Sequence, residues 1–212
     1  MTSKVTSTNR AARLQLRASL DRARHAAELL HNKEQALQRE RTRLEGHARR
    51  TEQQWHCQCS DATTWLLRAR ALGAGAELTA IGAQDPQPAV VAIAWQAAMG
   101  VTYPGEVTCT PGPAPALVTT AALVPTTTAY RAALVAGAEQ AAASIALRRL
   151  ETELSGTRRR RRAIEQRLRP RLEKQLHQLD LDLDERDREA ALRSQLANRR
   201  RTHDEQNPRR RR

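Results

Sequence analysis

The chain has 212 residues, 40% of them hydrophobic, yet it contains no Phe, three Trp and two Tyr. A compact globule of this length would normally bury several large aromatic side chains, so Ala and Leu spread among 28% charged residues point instead to thin helices packed side by side. The net charge of +13, with 33 of 36 basic residues being Arg, calls for an acidic partner: nucleic acid, an anionic membrane or acidic protein.

Residues 1–9 are polar and read as a disordered N-terminus, with no apolar segment of a secretory signal. Ser7, Thr8 and Asn9 are good N-caps, which predicts a helix over 10–72. Leu16, Ala23, Leu30, Leu37 and Leu44 recur every seven residues. Leu20 and Ala27 fill the alternate positions, which is the seam of a coiled coil. Glu34 and Arg41 continue that second series as polar members, either as flaws in the seam or as residues that fix its register. Trp55, Cys59, Ala62 and Leu66 share a face further on, and Gly73 and Gly75 break the helix.

Residues 73–127 read as a hairpin and a Pro- and Ala-rich connection. Val91, Ile93 and Trp95 alternate, as in a strand with one buried face. Met99-Gly100 supplies a turn, Val101 and Tyr103 alternate again, and 104–115, with four prolines, reads as a loop. A helix resumes near Leu117, or at Pro125 followed by three threonines.

A second long helix is predicted over 128–198. Its apolar series contains Leu150, Leu154, Ile164, Leu168, Leu172, Leu176, Leu179 and Leu183. The steps from Ile164 to Leu176 are all fours, a stutter that locally unwinds a left-handed supercoil, and Pro170 predicts a kink there. Residues 199–212, ending in Asn-Pro and four arginines, read as a disordered basic tail. The expected fold class is all-α: a long antiparallel two-helix coiled coil of the N- and C-terminal helices, with a small β-hairpin in the middle.

Chemistry-bearing patterns are sparse. His56, Cys57 and Cys59 lie close together, but C-x-C is tighter than usual zinc spacing and a fourth ligand is missing. Three cysteines, an odd number, fit a reducing compartment. The acidic stretch 180–189 lacks the central Gly and final Glu of a calcium loop; Asp180, Asp184 and Arg188 pair along one helix face instead. The sequence therefore predicts no catalytic residues, no metal and no cofactor. Arg158, Arg159, Arg160, Arg161 and Arg162 are sharper. Five consecutive helical residues point all round the helix and Arg161 falls on the apolar series, so the run is either a solvated face with one snorkelling core Arg or a contact for an acidic surface. With no run of 18 apolar residues, no membrane insertion is expected.

Three ordered elements carry a resemblance. Arg10, Leu14, Leu16, Arg17, Leu20, Ala23, Arg24, Leu29, Leu30, Lys33 and Leu37 form the first. Met99-Gly-Val-Thr-Tyr-Pro104 is the second. Residues 157–176, followed by Leu183, Glu185, Arg188, Glu189, Leu192 and Arg193, form the third. Together they resemble the D subunits of the V-type and A-type rotary ATPases, the central rotor. The chain departs from that pattern at Ala26 (usually Gly), Arg161 (usually branched apolar) and Arg169 (usually Ile). The resemblance implies a non-catalytic shaft inside a hexamer of A and B subunits. It also implies an F subunit on the shaft's side, a socket subunit above the membrane ring, and a cytoplasmic location peripheral to the membrane. The rival reading is a basic coiled-coil scaffold or nucleic-acid-binding protein, against which the scarcity of base-stacking aromatics argues.

Overall fold

The computed structural model describes residues 2–82, 88–113 and 120–206. In chain order they form α1 (Thr2–Ala71), α2 (Gly75–Gly82), β1 (Val90–Ala98), β2 (Val101–Thr110), α3 (Leu123–Ala163), a π-helical turn (Ile164–Leu168) and α4 (Arg169–Gln206). They divide into two compact units, one of Asn32–Arg158 and one of Met1–His31 with Arg159–Arg212.

Most of the described residues are helical, as expected, and α1 and α3–α4 pair antiparallel within each unit. In the unit of residues 32–158, Lys33 meets Glu153, Arg41 meets Glu151 and Thr51 meets Gln140, so numbers rise on one helix as they fall on the other. Leu37, Leu44, Ala146, Leu150 and Leu154 build its core, with Tyr103 of β2 inserted among them. Leu37 and Leu150 are fully buried, each worth about 1.5–3 kcal/mol of transfer free energy. A smaller cluster of Ala69, Ala74, Ala122 and Leu123 packs with Leu78 and Ile81 of α2, a helix that the sequence pattern does not announce. In the other unit, Arg10–Asp187 and Arg13–Asp180 give the same antiparallel sense. There Leu20, Ala23 and Leu183 are buried, while Leu16, Ala27, Leu30, Ile164, Leu172, Leu176 and Leu179 are half-buried.

Helix boundaries differ from the expected ones. α1 begins at Thr2 and takes in residues 2–9, ahead of the start expected at residue 10. They contain no Gly or Pro, and extending an existing helix gains one hydrogen bond per residue fixed. α4 likewise runs to Gln206 through most of the expected tail; residues 207–212 lie outside the described ones, as does the start expected near Leu117. α3 opens at Leu123 with Pro125 in its first turn, where the missing N–H has no helical acceptor.

At Pro170 the helix continues. The turn before it widens, and the Arg169 N–H bonds to the Ile164 carbonyl five residues back. Pro170 offers no N–H to the carbonyl four residues before it, and its ring would crowd that carbonyl in an α-turn; the π-turn moves it aside. Leu168, inside this turn, is 44% exposed.

The hairpin forms with Met99 and Gly100 at φ of 50° and 81°, the doubly positive pair of a type I′ turn. β2 runs on to Thr110, so Pro104–Thr110 is strand and not loop. Trp95 opposes Pro104 and Ile93 opposes Val107, leaving one residue of β1 against two of β2. That bulge interrupts the ladder beside Pro104, where its missing N–H is tolerated. Gly105 sits in the bulge under the Gln96 side chain, which lies 2.7 Å from where a Cβ would project. The expected buried face of β1 is not buried: Val91, Ile93 and Trp95 are all exposed.

Candidate functional site

A set of polar side chains joins α1 to α3. Glu34 and Arg41, the polar members of an otherwise apolar series, both reach across. The Arg158 Nε donates to Glu34 Oε1 at 2.8 Å, and the Arg41 Nε donates to Glu151 Oε1 at 3.0 Å. The Lys33 Nζ donates to Glu153 at 2.8 Å, and the Thr51 hydroxyl donates to the Gln140 amide oxygen at 2.6 Å. Glu34 is 8% exposed. Sliding one helix past the other by a turn would separate these donors and acceptors together, so the ladder favours one register. Its half-exposed members contribute little to stability individually. A cleft of about 440 Å³ opens alongside, lined by Gln38, Arg41, Thr42, Glu151, Leu154, Ser155 and Arg158.

One turn along α1, Glu40 and Arg43 hold the hairpin. Arg43 Nη2 donates to Glu40 Oε1 at 2.6 Å, and the Tyr103 hydroxyl donates to the same oxygen at 2.6 Å. The Arg43 hydrogen bond holds the Glu40 carboxyl below its ordinary range; burial opposes this and the Tyr103 bond assists it. Burial first, then the bond to Glu40, pushes the Tyr103 phenol up. Arg149 Nη1 donates to the Thr102 carbonyl at 3.1 Å, and its guanidinium carbon lies 5.1 Å from the centroid of the Trp95 ring, a cation–π contact.

Of the arginine run, Arg158 is tied to Glu34 and Arg161 grips both oxygens of Glu165 at 3.0 Å, while Arg159, Arg160 and Arg162 are exposed. Thr157 is wholly buried, and no described residue partners its hydroxyl. Arg13 Nε and Asp180 Oδ1 lie 2.7 Å apart without hydrogen-bond alignment, which makes the pair a charge contact only. Cys57 is exposed, Cys59 half-buried and Cys109 buried, and all three are free. Among the described residues, no three of His, Cys, Asp or Glu converge as a metal site, and no helix is long and apolar enough to cross a membrane.

Sequence reasoning missed the Tyr103–Glu40–Arg43 cluster and the partners of Glu34 and Arg41. The signal for the latter was present, as charged residues at positions where an apolar one continues the heptad. What the arrangement does chemically is fix two helices in one register and fasten a hairpin to their side. No curated protein matches this chain. A family model described as the ATP synthase D subunit matches residues 12–199, so the chain belongs to the family of ATP synthase D subunits.

Proposed function

We propose that this chain is the non-catalytic central-stalk rotor of a V/A-type ATPase or ATP synthase. Its paired helices form a coiled-coil shaft within the hexamer of A and B subunits. An F subunit binds the side of the shaft, and a socket subunit above the membrane ring holds its end. Turning the shaft couples ATP hydrolysis or synthesis in the hexamer to ion translocation, a rigid-body link between distant equilibria. The chain stays peripheral to the membrane on the cytoplasmic side, without inserting.

The observation that carries this reading is the family match over residues 12–199. The cross-helix ladder supports it, because a part that transmits torque needs helices that do not slide. The exposed Arg159, Arg160 and Arg162 suit an acidic bore, where unlike charge steers assembly.

The test assembles the purified chain with A, B and F subunits from the same genome at physiological salt, with duplex DNA in a parallel arm. A stable complex is expected, and omitting the chain should uncouple nucleotide turnover from ion movement. Tight DNA binding at that salt, with no complex formed, would refute the rotor in favour of a nucleic-acid binder. Loose binding that salt abolishes is expected from +13 charges alone.

A further inference from the structure

Clefts open along the unit of residues 32–158, and the arginines that line them differ in what holds them. Beside Gln38 and Ser155, Arg41 is paired with Glu45 and Glu151, and Arg158 with Glu34. In a pocket of about 250 Å³ where the hairpin meets both helices, Arg43 is paired with Glu40. The cleft of about 420 Å³ between the hairpin tip, Gly100–Thr102, and α3 is different. Its two arginines are exposed and bond only uncharged acceptors: Arg148 the Ser144 carbonyl of its own helix at 3.3 Å, and Arg149 the Thr102 carbonyl. Among the described residues, no carboxylate lies within ion-pair distance of either. Glu153, also in the cleft, is already neutralised by Lys33 at 2.8 Å. Arg149 is held by both the Thr102 carbonyl and the Trp95 ring, so one guanidinium is set in place before any ligand arrives, which lowers the entropy cost of binding. Trp95 beneath Arg149 and Met99 next to Gly100 are 54 and 56% exposed, and give this part of the surface an apolar rim.

We propose that this cleft is the docking site for an acidic side chain, Asp or Glu, on a segment of another protein of the same complex, with apolar residues beside it. A guanidinium fork matches a carboxylate bidentately. Arg, Trp and Met are also the residue types enriched at protein interfaces. A bare oxyanion would meet the arginines but leave Trp95 and Met99 in water, so the rim favours a protein segment. The inference rests on the rotor reading and deepens it, by naming where on the shaft a partner is gripped and by what chemistry.

Assembly of the full chain with the A, B and F subunits, compared across variants, tests it. Arg148→Glu should weaken assembly about tenfold or more, because it sets like charges together. Arg148→Lys keeps the charge and loses the fork, and should fall in between. Arg39→Glu makes the same charge change at an exposed site on α1 and should alter assembly less than about twofold. Each variant changes an exposed side chain, so the melting of the isolated chain should stay unchanged. In the complex, the amides of Gly100–Thr102 should exchange more slowly than in the free chain. If Arg148→Glu and Arg39→Glu weaken assembly equally, net charge alone is at work and the site is refuted, as it is if neither weakens it. Tight binding of inorganic phosphate to the isolated chain, abolished by Arg148→Glu, would assign the cleft to a free oxyanion and also refute the proposal. In all these cases the complex forms and the rotor stands; if no complex forms, both fall.

Discussion

Replacing Tyr103 with Phe removes one hydroxyl from the point where the hairpin is fastened to α1. The phenol is 3% exposed at residue level and donates to Glu40 at 2.6 Å. A hydrogen bond to a charged group contributes about 1.5–3 kcal/mol. Arg43 still holds Glu40 through three contacts of 2.6–3.1 Å, so the carboxylate is not stranded and the loss belongs at the low end, about 1.5 kcal/mol. The pH dependence follows from the two shifts. Glu40 has a lowered pKa, so its contribution is present above the unfolded value and is lost as pH falls through the folded one, below about pH 4. Tyr103 has a raised pKa, so its contribution is present below the unfolded value and is lost as pH rises through the folded one, above about pH 10. Denaturant unfolding of both proteins should therefore differ by a constant amount between about pH 5 and 9, and the gap should close on either side. Hairpin amides should exchange faster in the variant at pH 7, with helical circular dichroism unchanged. A gap that does not narrow as acid titrates Glu40, or no gap at all, refutes the assignment of the bond to an ionised Glu40.

Leu150→Ala should cost about 3 kcal/mol by chemical denaturation, since the side chain is fully buried, whereas Leu168→Ala at 44% exposure should cost under about 1 kcal/mol. Met99→Asn should stabilise the turn by about 0.5–1 kcal/mol, because Asn tolerates the φ of 50° better than Met, and a lower denaturation midpoint would count against the turn type. Gly137→Ala sets a gain in helix propensity of about 1 kcal/mol against a Cβ 3.1 Å from the indole nitrogen of Trp55. Trp55 is at the surface and can yield, so a small rise in melting temperature is expected and a fall would show the ring to be locked.

Much of this architecture was legible because a helix pair buries a periodic stripe. Leu20, Ala23, Leu37, Leu44, Leu150 and Leu154 stand out at heptad spacing, and each is buried. The hairpin was legible through one Met-Gly pair between alternating runs. Its extent was not, because Pro104 reads as a stop unless the bulge beside it is known, and a bulge depends on both strands. Alternation in β1 told which side chains share a face, but nothing in a strand's own pattern says whether another element covers that face. The Tyr103–Glu40 bond joins residues 63 apart, and neither has a local signature. Glu34 and Arg41 were visible as polar intrusions, yet their partners on α3 required the register that they themselves help to fix.

The wide turn at Ile164–Leu168 has a consequence for how the long helix tolerates change in length. Four-residue steps along an α-helix rotate a stripe by about 40° each, so the run from Ile164 to Leu176 would spiral away from its partner. A π-turn holds one residue more than an α-turn over the same rise, and so returns the stripe by about one residue's rotation, ~100°. The helix thus stores a single residue of slack. Removing Glu165 while also replacing Pro170 with Ala should spend that slack: the turn tightens to α, and Leu172, Leu176 and Leu183 keep the directions they already have. The same one-residue deletion placed between Leu176 and Leu183, where the helix is regular, has nothing to absorb it and should swing every later side chain by about 100°.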